Sequence, residues 1–158
     1  MKHDLLASSA DTKISVIVPI HAYFVAGVRD FVMSFIKNTT DFSEKWGYRF
    51  QSIVDELCNN AIEHGSKTGD NIVINLESIK RQKLIVSVED CGHGEKKTAA
   101  EMNDFIKQKL SENAKNVLKG YAIRERGLAQ IVHNWVDSLE FFDFKGGLKV
   151  QVTKNLKN

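Results

Sequence analysis

The amino-acid sequence predicts an α/β (α+β) fold, a two-layer sandwich in which three main helices lie on one face of a mixed, mostly antiparallel sheet. Three observations carry this. The chain has 158 residues, about the size of one domain with one core. Stretches with period-2 alternation and stretches at helical spacing follow each other as strand, helix, helix, strand, strand, long polar segment, helix, strand, strand. Two strand pairs are neighbours in sequence joined by short turns, which implies hairpins and antiparallel pairing.

Residues 1–12 are polar and aperiodic and are expected to form a flexible tail, with a single domain over 13–154. The run Ile14-Ser-Val-Ile-Val-Pro-Ile20 is β-branched, and Pro19 marks it as an edge strand or one that ends there. From Ala22 to about Asn38, the residues Phe24, Val28, Phe31, Val32 and Phe35 recur at helical spacing. Ser43 precedes a second helix, at about 43–64, with Phe50, Ile53, Val54, Leu57, Cys58 and Ala61 on one face and Gly65 as its stop. Ile72, Ile74 and Leu76 alternate with polar residues in one strand, and Leu84, Val86 and Val88 in the next, with a hairpin connection over 78–82. The segment at about 95–124 is rich in Lys, Glu, Asn and Ala. Ala99 to Leu118 has a helical pattern, yet the whole is more polar than a core element, as in a mobile functional loop or a disordered one. Leu128 to Val136 reads as a helix, and Leu139–Phe144 and Leu148–Val152 as strands joined by Lys145-Gly146-Gly147.

Composition excludes several classes. Lys and Arg total 22 against 20 Asp and Glu, a net charge of +2, which provides no broad footprint for a nucleic-acid backbone. The longest apolar stretch, Ile14 to Ile36, is interrupted by Pro19, His21, Arg29 and Asp30, so no membrane span is expected. The start lacks the apolar stretch of a signal peptide, and a cytoplasmic location with two reduced cysteines, Cys58 and Cys91, is expected.

Three short segments carry chemistry. In Asp55-Glu56-Leu57-Cys58-Asn59-Asn60-Ala61-Ile62-Glu63-His64-Gly65, Glu56 and Asn60 sit one helical turn apart on one stripe, beside the apolar face. A carboxylate there can take a proton from an attacking hydroxyl, and a carboxamide oxygen can fill one position around Mg²⁺. Taken alone, such a pair is more often a solvated polar face. In Val88-Glu89-Asp90-Cys91-Gly92-His93-Gly94 a strand ends in an acid and two spaced glycines. The carboxylate can accept a hydrogen bond from an amino group such as that of adenine, and glycines let a ligand approach the backbone, although Asp-x-Gly-x-Gly is also common turn chemistry. In Arg124-Glu125-Arg126-Gly127-Leu128-Ala129 a helix start and two guanidinium groups suit an anion, as they would any solvated loop.

Together and in this order, with 30 residues from Asn60 to Asp90 and 37 from Asp90 to Gly127, the segments resemble the Bergerat-fold ATPases of the GHKL group, which includes gyrase and the histidine kinases. Within it the chain most resembles the anti-sigma-factor serine/threonine kinases of bacterial partner-switching systems, over about Ile14 to Val152. The resemblance implies ATP and Mg²⁺ as ligands, Glu56 as catalytic base, Asn60 as Mg²⁺ and nucleotide ligand, and Asp90 as the adenine-recognising acid. It implies further that Gly92 and Gly94 form the pocket hinge, that 95–124 is the ATP lid, and that Arg126, Gly127 and Leu128 bind nucleotide. It also implies an anti-sigma-factor antagonist protein and a sigma factor as partners, and a homodimer through the first strand and helix. The sequence departs from the family at the third motif, usually Gly-x-Gly, where only Gly127 is present, followed by Leu128 and Ala129. A module that binds nucleotide or partners without transferring phosphate is the alternative. His64 is read as orienting the turn into Gly65 rather than moving protons, and His3, His21, His93 and His133 have no ligand spacing.

Overall fold

A computed structural model describes residues 11–94, 97–115 and 135–157. In chain order the elements are β1 (Thr12–Pro19), α1 (Ala22–Thr39), α2 (Glu44–Gly65), β2 (Asn71–Ile79), β3 (Lys83–Glu89), α3 (Ala99–Lys115), β4 (Ser138–Phe144) and β5 (Gly147–Asn155). The strands form one sheet in the order β1-β2-β3-β5-β4. Every pairing among the described strands is antiparallel, in line with the mostly antiparallel sheet expected.

Alternation sorts the sheet's two faces. Ile72, Ile74 and Leu76 of β2, Leu84, Val86 and Val88 of β3, and Val150 and Val152 of β5 are buried on one face under the helices. The opposite face carries polar side chains joined across strands: the Ser15 hydroxyl donates to Asn75 Oδ1 at 2.6 Å, and Asn75 Nδ2 donates to Glu89 Oε2 at 2.7 Å. The helix α2 brings Phe50, Ile53, Leu57 and Cys58 to zero exposure on the core face. Near its start Phe42, Trp46 and Phe50 meet edge-on or tilted, with centroids 6.1 to 6.3 Å apart.

Two expectations need correction. In α1 the buried stripe is Val25, Val28, Val32, Phe35 and Ile36, whereas Phe24 is 50% exposed. Phe24 sits one position ahead of the stripe and packs edge-on against His21 and Tyr23. The segment after β3 is also less loop-like than its composition suggests. Ala99 and Ile106 of α3 join the core, and Met102, Phe105 and Leu110 pack against it, a stripe that its many Lys and Glu residues obscure. The predicted helix at 128–136 lies outside the described residues except for Trp135 and Val136, which are not helical.

Candidate functional site

The end of β3 carries the site. Past Glu89 the chain leaves the ladder, and the Asp90 amide donates to Leu148 O at 3.0 Å. Asp90 Oδ1 in turn accepts from the amides of Gly92 at 2.8 Å and Leu148 at 3.1 Å. One carboxylate oxygen is thereby fixed by two backbone donors, and Oδ2 accepts no hydrogen bond from the described residues. Burial holds the Asp90 carboxyl above its ordinary range, against the downward pull of the Leu148 and Gly92 amides.

Close packing by glycines makes this arrangement possible. Gly92 has φ +71°, and a Cβ there would overlap Gly146 O in the β4–β5 turn. A Cβ on Gly147 would meet the Asp90 carbonyl, one on Gly94 the His64 carbonyl, and one on Gly65 the Asp90 carboxylate. The described atoms that crowd Gly92 and Gly94 thus belong to the chain itself. Gly65, predicted as a helix stop, is also the surface on which Asp90 rests. Because its backbone is helical, Gly65→Ala is compatible with the local conformation but not with the position of Asp90. The expected outcome is a protein with wild-type far-ultraviolet circular dichroism in which affinity for the nucleotide that the sequence leads one to expect falls at least tenfold. Binding unchanged by this substitution would show that the carboxylate position is unimportant.

Beside Asp90 opens a cavity of about 610 Å³, within the range of small-molecule sites. Asn60, His64 and Gly65 from the last turns of α2 form one wall. Val88, Leu148, Val150 and Phe141 give it an apolar floor, and Lys97, Thr98, Glu101, Met102 and Phe105 close the opposite side. The start of α3 is held by a capping box: Thr98 Oγ1 accepts from Glu101 N at 3.2 Å, and Glu101 Oε2 accepts from Thr98 N at 3.1 Å. The pattern Thr98-x-x-Glu101 could have located this helix start from sequence.

Of the residues singled out in sequence, Asn60, Asp90 and Gly92 line the cavity, and Gly94 lies beside it against His64. Glu56 is half-buried one turn earlier on α2 and does not line it. Arg126, Gly127 and Leu128 lie outside the described residues. The Asn60 side chain has a buried Nδ2 with no hydrogen-bond partner among the described residues, so that donor is not consumed by the described part of the fold. His93 Nδ1 lies 2.8 Å from Asp70 Oδ1, bracing the loop after β3 against the turn before β2. The cysteines stand apart from the cavity. Cys91 Sγ donates to Asn71 O at 3.1 Å, and burial pushes the Cys58 thiol up to about 12, leaving it protonated at neutral pH.

A family model described as a histidine kinase-like ATPase domain matches residues 21–154. No curated protein matches the chain.

Proposed function

The chain belongs to the histidine kinase-like ATPase domain family, and from this premise we propose that it is a Mg²⁺- and ATP-dependent serine/threonine protein kinase of the anti-sigma-factor type. ATP binding follows from the family; the phosphoryl acceptor and partners are the further step. In this reading the protein transfers the γ-phosphoryl group to a hydroxyl of a small antagonist protein and holds a sigma factor on a second surface, acting in the cytoplasm as a dimer through β1 and α1. Among the described residues no helix is long and apolar enough to cross a membrane.

The observation that carries the reading is the Asp90 carboxylate, anchored through Oδ1 with Oδ2 left for a ligand, at the rim of an apolar cavity whose other wall is Asn60. Adenine fits the apolar floor, its amino group donating to Oδ2. In this reading the carboxamide oxygen of Asn60 takes one position around Mg²⁺, the other ligands being phosphate oxygens and water, while its buried Nδ2, without a partner among the described residues, is a donor suited to a phosphate oxygen. The cation would supply charge neutralisation to the triphosphate. Glu56 accepts the proton of the acceptor hydroxyl as its oxygen bonds to the γ-phosphorus and the bond to the β-phosphate oxygen breaks, leaving ADP. Phosphorylation adds about −1.5 to −2 charge to the antagonist, which changes the partner it can dock against.

The single glycine of the third motif, Gly127, favours a second reading, a module that binds nucleotide or partners without phosphoryl transfer. Calorimetric titration with ATP, with and without Mg²⁺, is the test of the site. Saturable binding that strengthens with Mg²⁺ is expected, and absence of binding by folded protein would overturn the kinase assignment. Binding without transfer of labelled phosphate to any Ser or Thr of a partner would favour the second reading.

A further inference from the structure

The cavity has one side built from the sheet and another built from α3. Among the described residues, an α3 side chain meets the sheet edge as a further strand would. In the order β1-β2-β3-β5-β4, β4 is an edge, and Phe141, paired with Val150 on one side, turns its own N–H and C=O outward. Both are taken by Asn103: Phe141 N donates to Asn103 Oδ1 at 2.9 Å, and Asn103 Nδ2 donates to Phe141 O at 3.0 Å. The carboxamide resembles a peptide group in setting an N–H donor and a carbonyl acceptor in one plane, so it closes the edge as a neighbouring strand would. Its orientation is determined, because a flipped amide would set donor against donor and acceptor against acceptor.

A second link lies two residues along β4. Asp143 Oδ1 accepts from Ala99 N, the first residue of α3, at 2.9 Å. The two links hold α3 at its first and second turns. The residues between and beside them, Glu101, Met102 and Phe105, face the cavity, as does the side chain of Phe141, whose backbone Asn103 grips.

We infer that Asn103 is a positioning residue of the nucleotide site, fixing the distance between α3 and the apolar floor and so the width of the slot that takes the base. This rests on the nucleotide-binding reading above. Asn103 does not line the cavity and touches no ligand; it acts through Phe141 and through the neighbours it holds in place. The base end of the ligand is therefore the part that feels its loss, and the phosphate end at Asn60 is not.

The discriminating substitution is Asn103→Asp, which keeps shape and the acceptor for Phe141 N but replaces the donor with a charged oxygen facing Phe141 O. With the full chain, affinity for Mg·ATP, by calorimetry, and for adenosine, by chemical-shift titration, is expected to fall by the same factor, about tenfold. Folded N103D with ATP affinity within twofold of wild type overturns the inference. So does a loss for ATP that adenosine does not share, which would place the defect at the phosphates. Amide hydrogen exchange on the unsubstituted protein tests the same idea even if N103D does not fold. ATP should slow exchange of the Phe141 amide and of the first turns of α3, and bound ATP without that protection overturns the role of Asn103. A wild-type protein that binds no ATP removes the nucleotide reading and this inference together, and so is distinct from a failure of Asn103 alone.

Discussion

Asp90→Asn is expected to reduce ATP affinity by at least a hundredfold while leaving the fold intact and the nucleotide-free protein at least as stable as wild type at pH 7. The two halves of this result have one cause. Gly92 N and Leu148 N both point at Oδ1, so an asparagine must keep its carbonyl oxygen there and present its NH₂ where Oδ2 stood. The ligand's amino group then meets a donor in place of an acceptor. Losing a charge-assisted hydrogen bond removes about 1.5–3 kcal/mol, and the donors left facing each other cost about 1–3 kcal/mol more. Rotating the amide to restore the acceptor would turn NH₂ onto two backbone N–H groups, so the side chain has no good escape.

Stability runs the other way. The carboxyl of folded Asp90 lies above its ordinary value of 3.8 because burial disfavours the charge. A carboxyl raised in the folded state binds its proton more tightly there than in the unfolded chain. Its favourable contribution is fully present below the unfolded value and is lost as pH rises through the folded value. At pH 7 wild type therefore carries a partly buried, ionised Asp90 that the neutral asparagine does not. Thermal melts without nucleotide should place the variant at or above wild type at pH 7, with the difference displaced toward wild type as pH falls to 4. A variant clearly less stable at pH 7 would show that the carboxylate holds the glycine turns together, and its binding defect would then be structural.

Legibility in the sequence followed how local each cause was. The helix α2 announces itself because its apolar face from Phe50 to Ala61 repeats at helical spacing, and Glu56 and Asn60 could be placed on it by counting. Asp90 and its glycines were visible as a motif because turn chemistry is written in consecutive residues. What could not be seen were the surfaces these residues meet. Gly146 and Gly147 look like any hairpin turn, and only the antiparallel pairing of β3 with β5 brings them onto Gly92 and Asp90. Asn103 looks like one more polar residue in a polar segment, since its partner, Phe141, is 38 residues away. Phe24 is a different case: its contacts with His21 and Tyr23 are local, but helical spacing alone does not separate it from Val25, which begins the buried stripe one position later. The helical pattern of α3 is legible from Ala99 onward, but its charge density masks the buried stripe, although the capping box and the spacing of Ala99, Met102 and Ile106 are there to read.

Glu56→Ala should give the opposite profile to Asp90→Asn: phosphoryl transfer reduced by 10²–10⁴-fold, the scale of a lost general base, with ATP affinity within about threefold of wild type. The cavity wall on α2 begins at Asn60, and Glu56 precedes it by four residues, about 6 Å along the helix axis. Removing its carboxylate takes nothing from the base slot, so ground-state binding of nucleotide is spared. In the kinase reading proposed above, that position beyond the cavity suits a base for an incoming hydroxyl, because the acceptor would approach the γ-phosphate from outside the nucleotide. The Glu56 side chain does engage another group in the folded protein, so Glu56→Gln is the necessary companion. It keeps the shape and most hydrogen bonding but cannot take a proton, and it should lose transfer as fully as the alanine variant. Substantial turnover by Glu56→Gln would reduce Glu56 to a structural role. A binding loss in Glu56→Ala as large as that of Asp90→Asn would mean that the carboxylate shapes the pocket itself, and the proton would have to leave by another group.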